Sequence, residues 1–215
     1  MTTTENWDQS RPYRENPILQ FLSATYVLMW LGMAISPVDR LDWLLENCIV
    51  FLFWAMLLWS FPRFQFSDVS YVLVFVFMLL HAVGAHYAYS NVPLGEWCRQ
   101  YFGWQRNDYD RWTHFAYGLL FSYPFREAAL RIAPVSTFWA AFGSINVIAA
   151  SSAIYEILEA WVAQTVNPVL GAEYLGSQGD SWDTQNDMAS AIFGSVVALA
   201  FTSWLQRRRR RAILR

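Results

Sequence analysis

Six stretches of this chain, 17–36, 43–61, 69–87, 111–132, 137–163 and 184–205, are each long and apolar enough to cross a bilayer as a helix. A hydrocarbon core of ~30 Å takes about 20 helical residues, at a rise of ~1.5 Å each. Backbone amides in hydrocarbon must be bonded internally, which leaves helices or a closed barrel, and runs of this length read as helices. Composition agrees: 55% of the 215 residues are hydrophobic and only 15% are charged, where soluble domains carry about 25%. Two cysteines make neither a disulfide framework nor a thiolate zinc site. The expectation is an all-α integral membrane protein, a bundle of about six transmembrane helices.

The arginines orient that bundle, since basic residues gather on the cytoplasmic side. An even number of spans puts both termini on one side, and Arg207–Arg211 with Arg215 place that side in the cytoplasm. Arg11, Arg14, Arg63, Arg126 and Arg131 then also fall inside, and Arg40, Arg99, Arg106 and Arg111 outside, eleven against four. Residues 1–16 carry Glu5, Asp8 and Glu15, unlike the basic start of a signal peptide, so the first helix is expected to be retained. The chain thus divides into a polar cytoplasmic segment (1–16), one six-helix membrane domain (17–205) and an Arg-rich cytoplasmic tail (206–215). Without that tail the chain is acidic, so no nucleic-acid partner is expected; the tail reads as a topology anchor, compatible with anionic membrane lipid.

Two extracytoplasmic loops, 88–110 and 164–182, are long for so small a chain. The first holds Pro93, Gly95, Trp97, Tyr101, Phe102 and Trp104, which suits a short helix or re-entrant segment in the headgroup layer. The second holds three glycines, Gly171, Gly176 and Gly179. No fixed-period repeat supports an inverted-repeat transporter.

Ionisable residues inside spans cost about 2.5–3.5 kcal/mol each at the helix centre, so their placement is informative. His81 and His86 lie late on the third span, and Glu46 near the outer end of the second. Asp110 and His114 share a helix face at i, i+4, as do Asp183 and Asp187, and Glu156 and Glu159 share one at i, i+3. Nearly all belong to the outer half of the bundle; Arg126 and Glu127 are the exception, and read as an inner-surface pair. Singly, each has a plain structural explanation: carboxylates near helix ends cap or snorkel, and a lone His in a span bonds a neighbouring helix. Independent caps, however, have no reason to gather on one side and share faces on three helices.

Such a cluster can hold a divalent metal through nitrogen and oxygen ligands, drawn from His114, Glu156, Glu159, Asp183 and Asp187. Asp110 would orient the His114 imidazole, and His86 or Glu156 would handle protons. Ser151 and Ser152 lack a His at helical spacing, so no serine nucleophile is suggested. HExxH, a phosphate loop and a notable GxxxG stripe are also missing.

Four runs carry a resemblance: HYAYSNVPLG (86–95), RNDYDRWTHF (106–115), YEILE (155–159) and YLGSQGDSWDTQNDM (174–188). Together and in order they resemble the YjdF-like family of bacterial inner-membrane proteins, across roughly 17–205. That resemblance implies a multi-pass fold and an inner-membrane location, with no activity attached. A looser similarity runs to VanZ-like membrane proteins, through an Asp-Arg-x-x-His-Phe start, an acidic helix end and a final Asp-x-x-x-Asp helix. Some of those are associated with glycopeptide resistance, here an analogy of fold alone.

Three functions fit these residues. The first is a metal-assisted hydrolase or transferase acting on a lipid-linked or envelope substrate, with the aromatic loop as a lid. The second is binding or transport of a cation or small solute, and the third is a structural polar network with a partner-binding role. No oligomeric state is assigned.

Overall fold

The computed structural model describes residues 11–166 and 168–213. Glu5, Asp8 and Arg215, used above, lie outside the described residues, as do the side chains of Arg209 and Arg210. A 3-10 turn, Tyr13–Glu15, leads into eight helices: α1 Pro17–Met33, α2 Arg40–Ser60, α3 Asp68–His86, α4 Pro93–Phe102, α5 Tyr109–Ile132, α6 Thr137–Thr165, α7 Pro168–Leu175 and α8 Asp183–Ile213. Among the described residues there is no strand. By length and apolar character α2, α3, α6 and the 183–208 part of α8 can each cross a membrane, while α1 is apolar but shorter. The 24-residue α5 is long enough, but it carries Asp110, Arg111, Arg126, Glu127 and Arg131.

Side-chain caps set the helix starts. Asn16 accepts from the Leu19 amide ahead of Pro17, Asp39 accepts from Leu41 and Asp42, Ser67 from Ser70, and Ser136 from Trp139. Each satisfies a donor that the first helical turn leaves without an internal partner. Two features differ from the expectation. The tail does not separate from the last span, because α8 continues to Ile213; basic residues at a helix C-terminus offset the macrodipole, and Arg208 lies over the Trp204 ring at 4.8 Å. The second long loop also contains a helix, α7, packed on α6, where Gly171 meets the Ala163 backbone.

The α5 helix is the hub, packed against α8, α6 and α3. Its contact with α8 is backbone to backbone: a Cβ on Gly118 would overlap the Ala191 carbonyl, and one on Gly194 the Phe115 carbonyl. Ser122 donates to Ser195 at 2.6 Å and accepts at its carbonyl from Ser144 of α6 at 2.9 Å. Small residues allow this approach, and close packing is what holds helices together in lipid, where the medium is as apolar as the side chains. The stripe absent from a GxxxG search is thus present as Gly118-x-x-x-Ser122 against Ala191-x-x-x-Ser195. Aromatic rings fill the middle, with Phe77 edge-on to Phe121 at 5.2 Å and Phe53 5.7 Å from Phe121.

Glu127, fully buried, closes one end of the bundle. It accepts from the Ser67 amide at 2.8 Å, from the Ser67 and Ser70 hydroxyls at 2.7 and 2.5 Å, and from Arg131 at 2.5 Å. The expected Arg126–Glu127 pair is thereby corrected. Adjacent helical residues point apart, whereas i and i+4 meet, so Glu127 pairs with Arg131 and caps the start of α3.

Candidate functional site

At the other end of the bundle α2, α5 and α8 begin, and α1, α3 and the final turns of α6 arrive. Helices α5 and α8 run parallel there, and one register organises the site. Ser122 and Ser195, which share a hydrogen bond, are 73 residues apart, and the same spacing sets Gly118 against Ala191 and His114 beside Asp187. Side chains four apart stack along one helix face, so the two small-residue seams continue upward as Asp110-x-x-x-His114 and Asp183-x-x-x-Asp187.

His114 is the centre. Its Nε2 lies 3.3 Å from Glu156 Oε1 and 3.7 Å from Asp110 Oδ1. Ligand atoms of Asp110, His114 and Asp187 all fall within 4.8 Å of one another. On the other side of the ring, Nδ1 faces the Ser152 hydroxyl of α6 at 3.4 Å. Glu156 Oε1 and Asp187 Oδ1 are buried with no hydrogen-bond partner among the described residues, although Arg111 Nε stands 3.8 Å from Asp187 Oδ1. Burying a carboxylate oxygen without a partner is costly, and a bound cation is one way of offsetting that cost.

Asp183 is engaged differently. It receives Arg106 in a close ion pair and Arg111 at 3.2 Å, so its charge is already answered by two guanidiniums. Arg106 also reaches Asp108 at 3.2 Å and the Ser177 carbonyl at 3.3 Å, and Arg111 reaches Asp180 in a close pair. Beneath this clasp the two long connections are knotted through Asn107. Its side chain donates to the Ser90 and Val92 carbonyls at 2.9 and 3.0 Å, and its backbone exchanges hydrogen bonds with the Gln178 side chain, both at 2.9 Å. The Trp182 amide, and then Arg111, hold the Asp180 carboxyl below the ordinary carboxylate range. On α4 the Arg99 guanidinium, helped by Gln100, draws Glu96 down to about 2. That helix rests on the knot at Gly95, where any Cβ would strike the Asn107 side chain. Its Trp97 and Tyr101 stack at 5.4 Å and remain exposed.

A second polar group faces α2. Tyr155 donates to Glu46 at 2.9 Å, and Tyr89 and His81 share a bond of 2.6 Å. Glu159 lies within electrostatic reach of Asp110, Glu46 and Glu156. Between this group and the ring core sits a cavity of about 360 Å³, lined at its polar end by Asp110, His114, Ser152 and Tyr155 and deeper by Phe77 and Phe121.

The structure brings together Asp110, His114, Glu156 and Asp187, and keeps Glu159 and Asp183 at the margins. His86 is elsewhere: Nδ1 meets the Met33 carbonyl of α1 at 2.8 Å, and the ring lies against Tyr87. Asp110, read as an orienting group, falls among the ligand atoms, and Ser152 takes the place beside Nδ1 instead. Sequence reasoning missed Ser152 because it sought a His at helical spacing, whereas the His comes from another helix. It also missed Arg106 as a clamp and the Tyr155–Glu46 contact. The signal for Arg106 was its place in RNDYDR, a run otherwise dense in acids.

An all-helical, multi-pass bundle with its ionisable residues drawn into one end defines a class of integral membrane protein. The comparisons with known proteins agree. A family model described as "Predicted membrane protein (DUF2238)" matches residues 18–208. The chain is 36% identical over 182 residues to the inner membrane protein YjdF of Escherichia coli (strain K12), covering 84% of this chain and 85% of that one. No solved structure matches. The chain belongs to this family of predicted membrane proteins, and it is a multi-pass protein of the bacterial inner membrane.

Proposed function

We propose that the protein crosses the inner membrane six times with both termini in the cytoplasm, and that its extracytoplasmic end is a divalent-metal site serving hydrolysis or group transfer on a lipid-linked substrate. One observation carries the reading: Asp110, His114 and Asp187 converge within 4.8 Å, with buried oxygens of Glu156 and Asp187 that accept no hydrogen bond among the described residues. Nitrogen and carboxylate donors suit a divalent ion such as zinc or manganese. Metal-binding histidines commonly give their second ring nitrogen to an orienting acceptor, and Ser152 is placed to accept from Nδ1, leaving Nε2 to the ion. A metal there would polarise a phosphoryl or carbonyl oxygen of the substrate. Glu156 would take the proton from the attacking hydroxyl or water, and Arg106 and Arg111, pinned by Asp183 and Asp180, would hold the rim in shape. The arginine bias of the loops supports the orientation, and α1 and α5 complete the six crossings with the four longer apolar helices.

Elemental analysis of the detergent-purified protein tests the reading. About one divalent metal per chain is expected, lost in Asp187→Asn and His114→Gln variants that still elute as folded protein. A metal-free parent, or metal that survives both substitutions, overturns it. The structural-network alternative is favoured by one observation, the double guanidinium clasp on Asp183, and it predicts that the variants lose folded protein rather than metal.

A further inference from the structure

We infer that the cavity between α2, α3, α5 and α6 is a binding site for one linear hydrocarbon chain of a membrane lipid, its polar head lying at Asp110 and His114. The inference deepens the proposed function by naming the substrate's tail.

The cavity is two-faced along its length. Its polar end is made by Asp110, His114, Ser152 and Tyr155, with the Tyr117–Ser151 hydroxyl pair next below, and from that pair down to Phe125 the wall is aliphatic or aromatic. From His114 to Phe125 is eleven residues of α5, or ~16 Å of helix, close to half of a ~30 Å hydrocarbon core. The pocket therefore has the depth of one leaflet. An apolar space this large and empty would leave its walls without dispersion partners. Below the Tyr117–Ser151 pair water has no polar side chain to bond. In a bilayer the filler at hand is a lipid tail.

A way in exists from the side. Tyr155–Glu46 ties α2 to α6 at the polar end, and Phe53 meets Phe121 lower down. Between these ties the lining residue Ile49 of α2 is exposed, and Met56 is exposed just beyond the lower one, so the pocket borders the surrounding lipid there. A chain entering past Ile49 would bring its head group beneath the Tyr155–Glu46 bridge, beside the His114 cluster. Two lining residues, Val50 and Phe121, are buried and hidden from bulk lipid, so contact with them reports only on a chain inside.

The test uses the full chain in vesicles of phosphatidylethanolamine and phosphatidylglycerol doped with a fatty acid bearing a diazirine midway along its chain. After irradiation, adducts are mapped by peptide mass spectrometry. The exposed Phe193 and Phe201 of α8 serve as the reference for bulk-lipid labelling. Adducts at Phe121 comparable to that reference are expected, falling at least fivefold in Val50→Trp, with Ser151→Phe as a second filling variant should the first not fold. Excess unlabelled polyprenyl phosphate or excess lysophospholipid should displace the label, and whichever does so names the head group. Adducts confined to Phe193 and Phe201, unchanged labelling in a folded filling variant, or no displacement by either lipid would overturn the proposal. The labelling is repeated after chelator treatment, where it should persist. Tail binding and metal binding can therefore fail separately.

Discussion

Asp180 shows how one side chain couples the two long connections. The Trp182 amide and the Arg111 guanidinium both favour its charged form, which places its folded-state pKa below the ordinary value. A depressed carboxyl contributes its stabilisation at every pH above the unfolded value, about 3.9, and loses it as the pH falls through the lowered folded one. The melting difference between the wild type and Asp180→Asn should therefore stay constant from pH 7 to about 5 and close only in stronger acid. A gap already closing at pH 6 would show that another group carries the effect. At this scale the sequence was informative about which residues are ionisable and which share a face. It was silent on their partners: Asp183 and Asp187, one turn apart, look alike in sequence, yet Asp183 is claimed by two arginines while Asp187 has only Arg111, at 3.8 Å, and accepts no hydrogen bond at that oxygen among the described residues. The difference comes from Arg106, which lies 77 residues away from Asp183 along the chain.

The α5–α8 pair is the element on which the site depends. Its seam of Gly118, Ser122, Ala191, Gly194 and Ser195 brings two backbones into contact, and the same register sets His114 beside Asp187. A Gly118→Val substitution must push the helices apart. It should cost at least about 1–3 kcal/mol, as overpacking does, and should loosen the site that starts one turn above, at His114. Gly143 on α6 is the control, since a Cβ there meets nothing within 4 Å. Gly143→Ala should be neutral or stabilising by up to ~1 kcal/mol through helix propensity. Thermal unfolding of the two variants in the same detergent checks both, and equal behaviour would remove the seam from the argument. The helices themselves were legible, since five of the six expected spans begin and end within a few residues of α1, α2, α3, α5 and α6. The seam was not, because a helical period identifies a face without saying which neighbour it meets.

For the whole molecule, the proposed orientation puts α4 outside the cytoplasm, and the chain carries its own reporter in the partly exposed Cys98 of that helix. In intact spheroplasts a membrane-impermeant maleimide should label Cys98. It should leave Cys48 untouched, since that residue lies eight positions into α2, ~12 Å along the helix. Labelling of Cys98 only after the membrane is opened would invert the topology and move the proposed site to the cytoplasmic face. The sequence by itself determined that this protein is a helical membrane bundle with its ionisable residues concentrated at one end. Backbone amides in hydrocarbon admit few solutions, and charge is too costly there to be scattered. The tertiary structure alone decided which of those residues meet: Asp110, His114, Glu156 and Asp187 around one point, Ser152 behind the ring, Asp183 in an arginine clasp and His86 apart from them all. Those meetings depend on how closely small residues let distant helices approach, and a helix's own periodicity holds no record of that distance.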